Sequence, residues 1–423
     1  MNAQHASPIV APKGLTAPTR QLGLEHAADG GWNVAAGELP LPAATLSAAA
    51  LDHNIATMAR WCEQHGALLA PHGKTTMAPA LFARQLAAGA WGITVSSARQ
   101  AQVAVAAGAQ RVIVAHQVVD PIQLADLAAL ARRVEVFVFV DSVAGYDRLA
   151  AHAARDARLA VLVEIGIPGV RTGVRTAAEL HDLLARLRSD GRLPVAGVAA
   201  FEGLLPAIRR TLPEEFGALA PTTEAVSAYL RSVAEMIAGA RDRGLLDPAA
   251  IVTAGGSAAF DLVVDILGGV AGPLVLRSGC YVTHDHGLYD YQSPLEARND
   301  PALSPADALR AALALWAHVV SQPEPGVAIV GLGRRDAGDD VAMPMPLERV
   351  LGPGRREPLR GWTMDQMWDQ HARLRAHDGA TALTVGDVLV FGVSHPCTTL
   401  DKWRALLEID EADRVVGVLE TWF

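Results

Sequence analysis

The chain predicts an α/β fold: a TIM-type (β/α)8 barrel followed by a second, β-rich domain. Three observations carry this. Short runs rich in Val and Ile recur eight times between residues 68 and 276, and Ala-rich stretches of helical periodicity separate most of them. Beyond about residue 300 the alternation gives way to short strands punctuated by prolines. A doubly wound open sheet has the same alternation, but a count of eight favours closure.

Residues 1–40 are rich in Pro, Gly and Ala and are expected to form a leader that packs on the β-rich domain. Residues 46–65 read as a helix, with Leu51, Ile55, Met58 and Trp61 on one face. The eight runs fall at 68–70, 92–95, 111–115, 134–140, 159–165, 195–199, 251–253 and 274–276, with helices such as 98–108 and 177–188 between them. This assigns 41–300 to the barrel and 301–423 to the β-rich domain. In the latter, 309–320 and 327–330 begin an irregular segment punctuated by Pro344, Pro346, Pro353 and Pro358, 383–391 reads as a turn between short strands, and 414–420 as a closing strand.

Chemistry in a parallel barrel gathers at the carboxyl ends of the strands. The first run ends in Pro71-His72-Gly73-Lys74; Ser96, Ser97, His116, Gln117, Asp141 and Ser142 follow the next three. The fifth leads into Arg171, set in a glycine-rich loop that permits a tight turn aiming the guanidinium inward. The sixth ends in Phe201-Glu202-Gly203, the seventh in Gly255-Gly256-Ser257, and the eighth in Arg277-Ser278-Gly279-Cys280-Tyr281.

Of 36 basic residues only Lys13, Lys74 and Lys402 are lysines, and Lys74 alone sits where a barrel strand should stop. An amine there can form a Schiff base with an aldehyde cofactor; a solvated lysine at a strand end fits the same residues. Gly255-Gly256-Ser257 can present backbone N–H groups to a phosphate, and loops after strands seven and eight are where barrel enzymes commonly bind one. A plain turn explains the triplet equally well. Lysine on one side and a phosphate cradle on the other suit pyridoxal 5'-phosphate.

Hydrophobic content of 51% supports a large core, and a net charge of −9 with scattered arginines shows no footprint for nucleic acid. The expected partner is a small molecule. No apolar run reaches membrane-spanning length, and the first twenty residues lack a secretory pattern. Cys62, Cys280 and Cys397, odd in number and widely spaced, read as reduced thiols of a cytoplasmic protein. Toward the end, Ser394-His395-Pro396-Cys397 places imidazole and thiol two residues apart. In an extended segment both point to one side, toward a single soft metal. A structural pair fits as well, and so does a hydrogen-bonding role for His371 upstream.

Pro71-His72-Gly73-Lys74-Thr75-Thr76-Met77, Gly255-Gly256-Ser257, Leu276-Arg277-Ser278-Gly279-Cys280-Tyr281 and Ser394-His395-Pro396-Cys397 together resemble the D-serine dehydratase and D-threonine aldolase family. More narrowly they resemble its bacterial amino acid deaminase and D-3-hydroxyaspartate dehydratase branch. The resemblance spans residues 40–423. It implies pyridoxal phosphate enzymes of the alanine racemase fold (fold type III), with Lys74 carrying the cofactor and Arg171 near its ring hydroxyl. Gly255, Gly256, Ser257, Gly279 and Tyr281, with Cys280 in the same loop, would hold the phosphate end. His395 and Cys397 would bind a divalent metal, zinc by the thiolate's preference. Aldolase relatives are expected to carry aspartate at the position of Cys397, which tilts the chain toward dehydration.

The implied activity is that of a lyase converting D-β-hydroxy amino acids such as D-serine, D-threonine or D-3-hydroxyaspartate to a 2-oxo acid and ammonia. Retro-aldol cleavage, racemisation and a non-catalytic cofactor carrier are the alternatives. The same likeness implies a homodimer, whose metal pair serves its own or the partner's Lys74. Arg209, Arg334 and Arg335 are candidates for holding a second substrate carboxylate.

Overall fold

The computed structural model describes residues 12–15, 30–153 and 157–423. Of the leader, residues 1–11 and 16–29 lie outside the described residues. The chain divides into two compact units, Ile55–Tyr281 with Tyr291–Leu309, and Met1–Asn54 with Val282–Asp290 and Arg310–Phe423.

The first unit is the barrel. Leu68–Leu69, Ile93–Val95, Arg111–Val114, Glu135–Val140, Leu159–Ile165, Val195–Ala200, Ile251–Ala254 and Leu274–Leu276 form one parallel sheet. Chain neighbours pair from the second strand to the eighth, and the eighth returns to the first through Val275↔Leu68 and Leu276↔Leu69. The first strand is too short to pair with the second as a ladder, so the seam is closed just beyond it. Trp91 N donates to Leu69 O at 2.7 Å and Thr94 N to Pro71 O at 2.9 Å, and His72 bridges to Thr94. The segment that closes the barrel is therefore the one that carries Lys74.

Strands buried on both faces read as continuous apolar runs rather than alternating ones, which is why Val and Ile dominate them. Ala70, Ile113, Phe137, Phe139, Leu162, Ala199 and Val275 make one buried cluster drawn from six of the strands or their ends. The outer helices bury one stripe each. Ala177–Asp190 opens with a reciprocal cap between Thr176 and Glu179, buries Leu180, Leu183, Leu184 and Leu187, and stops at Gly191.

The second unit is a mostly antiparallel sheet of ten strands, running Arg355–Pro358, Met345–Gly352, Val388–Gly392, Leu313–Glu324, Ala43–Ser47, Ala405–Ile409 and Val415–Glu420. Val327–Val330, Ala372–Ala376 and Trp362–Met367 extend from Leu313–Glu324. Leu15, Val34, Trp316, Val390 and Leu407 share its apolar cluster. Ala43–Ser47 was not expected as a strand: it is short, alanine-rich and runs straight into the helix Ala48–Gln64, so periodicity does not separate the two.

Candidate active site

Lys74 lies on a single 3-10 turn, Gly73–Thr75, immediately after the barrel seam. Its side chain is exposed into an open cleft of about 200 Å³ lined by His72, Lys74, Ser96, Ala115, His116, Phe139, Glu164, Arg171, Phe201 and Arg277. These residues come from the carboxyl ends of the strands and the loops that follow. Among the described residues the Lys74 amine has no hydrogen-bond or ion-pair partner.

Arg171 reaches the same cleft, its guanidinium over the Phe201 ring at 5.1 Å. The loop that carries it is pinched at its neck, where Gly166 N donates to Val174 O and Gly173 N to the Asp141 carboxylate at 3.0 Å. Gly173 has φ +101°, and a Cβ there would stand 2.5 Å from Gly166 N, so the neck accepts only glycine.

Opposite charges share the cleft. Arg277 is buried, donates to Thr253 Oγ1 at 2.8 Å and Ala200 O at 2.6 Å, and lies 5.3 Å from the Phe139 ring. Burial pulls its guanidinium down to about 10 while Glu202 and Glu164 act in the other direction, so it stays cationic at neutral pH. Glu164, also buried, accepts a hydrogen bond from Gln117 Nε2. Burial, reinforced by Lys74, Arg277 and Arg171, holds His72 well below the ordinary imidazole range, so it is neutral at pH 7. His72 Nδ1 and Gln117 Oε1 are buried without a partner, and a polar ligand would satisfy such orphaned atoms.

The two glycine loops adjoin the lysine turn. A Cβ on Gly279 would come within 2.5 Å of His72 O and 3.0 Å of Thr75 Oγ1, so this close approach requires glycine. Thr75 Oγ1 and Cys280 Sγ are 3.6 Å apart, and Cys280 N donates to Ser257 Oγ at 3.1 Å. Gly255 and Gly256, however, are already engaged: the fully buried Glu202 accepts from their amides at 3.1 and 2.6 Å. The Ser257 and Ala258 amides, next in the chain, are the ones without an acceptor among the described residues. Replacing Glu202 by alanine strands the buried Gly255 N–H and the half-buried Gly256 N–H and should lower stability to urea unfolding by about 2–4 kcal/mol.

Tyr281 goes elsewhere. Residues Cys280–Val282 form a 3-10 turn, in which successive side chains are about 120° apart, and the Tyr281 ring is buried in a separate cleft with Cys62 and Gln85. Its hydroxyl accepts from Gln85 Nε2 at 2.9 Å. The structure thus gathers Lys74, Arg171, Ser257, Gly279 and Cys280 but not the Tyr281 hydroxyl.

In the second unit, His395 and Cys397 offer a nitrogen and a sulfur within 4.8 Å of one another. They meet for a reason other than strand alternation: the segment is not extended. Pro396 is α-helical at φ −71°, and Cys397 starts the short helix Cys397–Leu400. His395 Nδ1 lies 2.7 Å from Asp340 Oδ2. Burial acts to lower the His395 pKa, but Cys397 and Asp340 outweigh it and hold it up at about 9. His371 is exposed at the turn between Trp362–Met367 and Ala372–Ala376. Arg209 is tied to Asp261 at 2.7 Å, Arg334 to Asp339 at 2.8 Å, and Arg335 faces Asp369 at 3.6 Å.

Residues 46–265 match the family model for the alanine racemase N-terminal domain, and residues 312–409 match the model described as "Putative serine dehydratase domain". D-threo-3-hydroxyaspartate dehydratase of Delftia sp. (strain HT23) is 30% identical over 404 residues, covering 91% of this chain and 97% of that one. The chain belongs to the D-serine dehydratase-like family built on the alanine racemase barrel. A second family member, D-threonine aldolase of Arthrobacter sp., is 28% identical over 380 residues, 90% of either chain. The crystal structure of D-threonine aldolase from Filomicrobium marinum superposes with a TM-score of 0.75 at 26% identity, covering 92% of this chain and 97% of that one. These family members are lyases, and this chain is an enzyme of that class. Among the described residues no helix is long and apolar enough to cross a membrane.

Proposed function

We propose that this enzyme is a pyridoxal phosphate- and metal-dependent dehydratase of D-β-hydroxy amino acids, releasing a 2-oxo acid and ammonia. The observation that carries the reading is Lys74, an unpaired amine projecting into a cleft of mixed charge from the turn that closes the barrel. The orphaned His72 Nδ1 and the acceptor-free amides of Ser257 and Ala258 fit a polar, phosphate-bearing cofactor at the same place. The chemistry that pyridoxal phosphate supplies when bound is an electron sink for the carbanion at Cα. The imidazole and thiol of His395 and Cys397 suit zinc, whose contribution when bound is a Lewis acid for a departing hydroxyl.

The chain's own groups have separable tasks. Lys74 Nζ binds the cofactor and then moves the α-proton. Arg171 and Arg277 supply fixed positive charge to the cleft, and neutral His72 offers a hydrogen-bonding nitrogen without adding to that charge. Ser257 Oγ and the loop of Gly279 and Cys280 hold the phosphate end against the lysine turn, braced from behind by Glu202.

Incubation with D-serine, D-threonine and both 3-hydroxyaspartate diastereomers of D configuration, with and without chelator, tests the reading. The expected products are 2-oxo acids and ammonia, formed far more slowly when chelator is present. Glycine plus an aldehyde would instead establish the retro-aldol reading, which the Arthrobacter relative favours.

A further inference from the structure

Two segments of the second unit dock on one another around His395. Gly338 N donates to Thr399 Oγ1 at 3.0 Å, and a side chain at Gly338 would collide with Thr398. Ser394 Oγ donates to Ala342 O at 2.6 Å and accepts from Ala342 N at 3.2 Å. Between these ties stands Asp340. One carboxylate oxygen, Oδ2, lies 2.7 Å from His395 Nδ1, and the other, Oδ1, accepts from Thr398 Oγ1 at 2.5 Å.

We propose that Asp340 is a positioning residue that sets the His395 and Cys397 donors for one metal ion; the inference rests on the metal site proposed above. An imidazole whose Nδ1 faces a carboxylate carries its proton there, which leaves Nε2 as the lone-pair donor. The other oxygen holds Thr398, the residue after Cys397, and so fixes the start of the helix that carries the thiol. One carboxylate therefore clamps both sides of His395-Pro396-Cys397. The imidazole cannot rotate, and the Cys397 backbone cannot turn away, without breaking a hydrogen bond to the same side chain. The added negative charge also makes the imidazole a stronger donor toward a divalent cation.

The test is zinc affinity, read by competition with a chromophoric chelator on the full chain, together with the visible spectrum of the cobalt-substituted protein. Asp340→Ala should weaken zinc binding by roughly 10- to 100-fold. One ion per chain should still bind at saturation, with unchanged circular dichroism and an altered cobalt spectrum. Asp340→Asn keeps the shape and should lose nearly as much, and Thr398→Ala should lose less. If the parent binds one zinc per chain and both Asp340 variants match its affinity within two-fold, the clamp is refuted while the metal site stands. If the parent binds no zinc stoichiometrically, the metal site and the clamp both fall.

Discussion

Substituting Lys74 by alanine should abolish the visible absorbance of lysine-bound pyridoxal phosphate and lower turnover by about 10³-fold or more, the order expected when a positioned proton-transfer group and covalent anchor are lost together. Lys74→Arg should do the same, because a guanidinium keeps the charge without offering a free amine. The scarcity of lysine makes the result easy to read. With only three in the chain, borohydride reduction of the loaded enzyme followed by peptide mapping should place the label on Lys74 alone. Lys13 is held by Asp336 and the Arg335 carbonyl and lies 4.0 Å over the Trp403 ring, while Lys402 lies 3.4 Å from Asp401. A label on either, or visible absorbance that survives Lys74→Ala unchanged, would remove the cofactor assignment.

Much of the barrel was legible because its signal is simple. Strands covered on both faces must be apolar throughout, so the eight runs stand out, and each strand matches its run to within about two residues. Lys74 was legible by elimination, and Arg171 by the glycines that its loop needs. What escaped was set by contacts distant in sequence. Glu202 stands 53 residues before Gly255, and nothing near either shows that its carboxyl group occupies the amides that a phosphate was expected to use. Glu164 and Arg277 had a usable signal, one charge in or just after a run of Val and Leu, where burial demands a purpose. The burial of the Tyr281 ring beside Cys62 and Gln85 was not legible, because a strand-end motif says nothing of the 3-10 turn that sets its direction. His395 and Cys397 meet on a helical turn that begins at Pro396, not through the side-to-side alternation of an extended segment. Asp340 lies 55 residues from His395 and left no local trace at all.

Removing the metal should separate two steps that Lys74→Ala removes together. Hydroxide is a poor leaving group, and a Lewis acid on the β-oxygen is worth several kcal/mol of transition-state charge stabilisation. At about 1.4 kcal/mol per tenfold, loss of 3–4 kcal/mol predicts a fall of roughly 10²- to 10³-fold in 2-oxo acid formation. Cys397→Ala, His395→Ala and chelation of the parent should all behave this way. None of them touches the amine that removes the α-proton, so the visible cofactor spectrum should persist. Exchange of the D-serine α-proton with deuterated solvent should continue at a rate within about tenfold of the parent, because proton transfer is assigned to Lys74 Nζ. Proton NMR in deuterium oxide reads exchange and product formation in one sample. If Cys397→Ala forms product at the parental rate, the metal has no part in the reaction. If exchange stops with product formation, the metal is needed to bind substrate rather than to release hydroxide, and the division of labour between the amine and the ion is wrong.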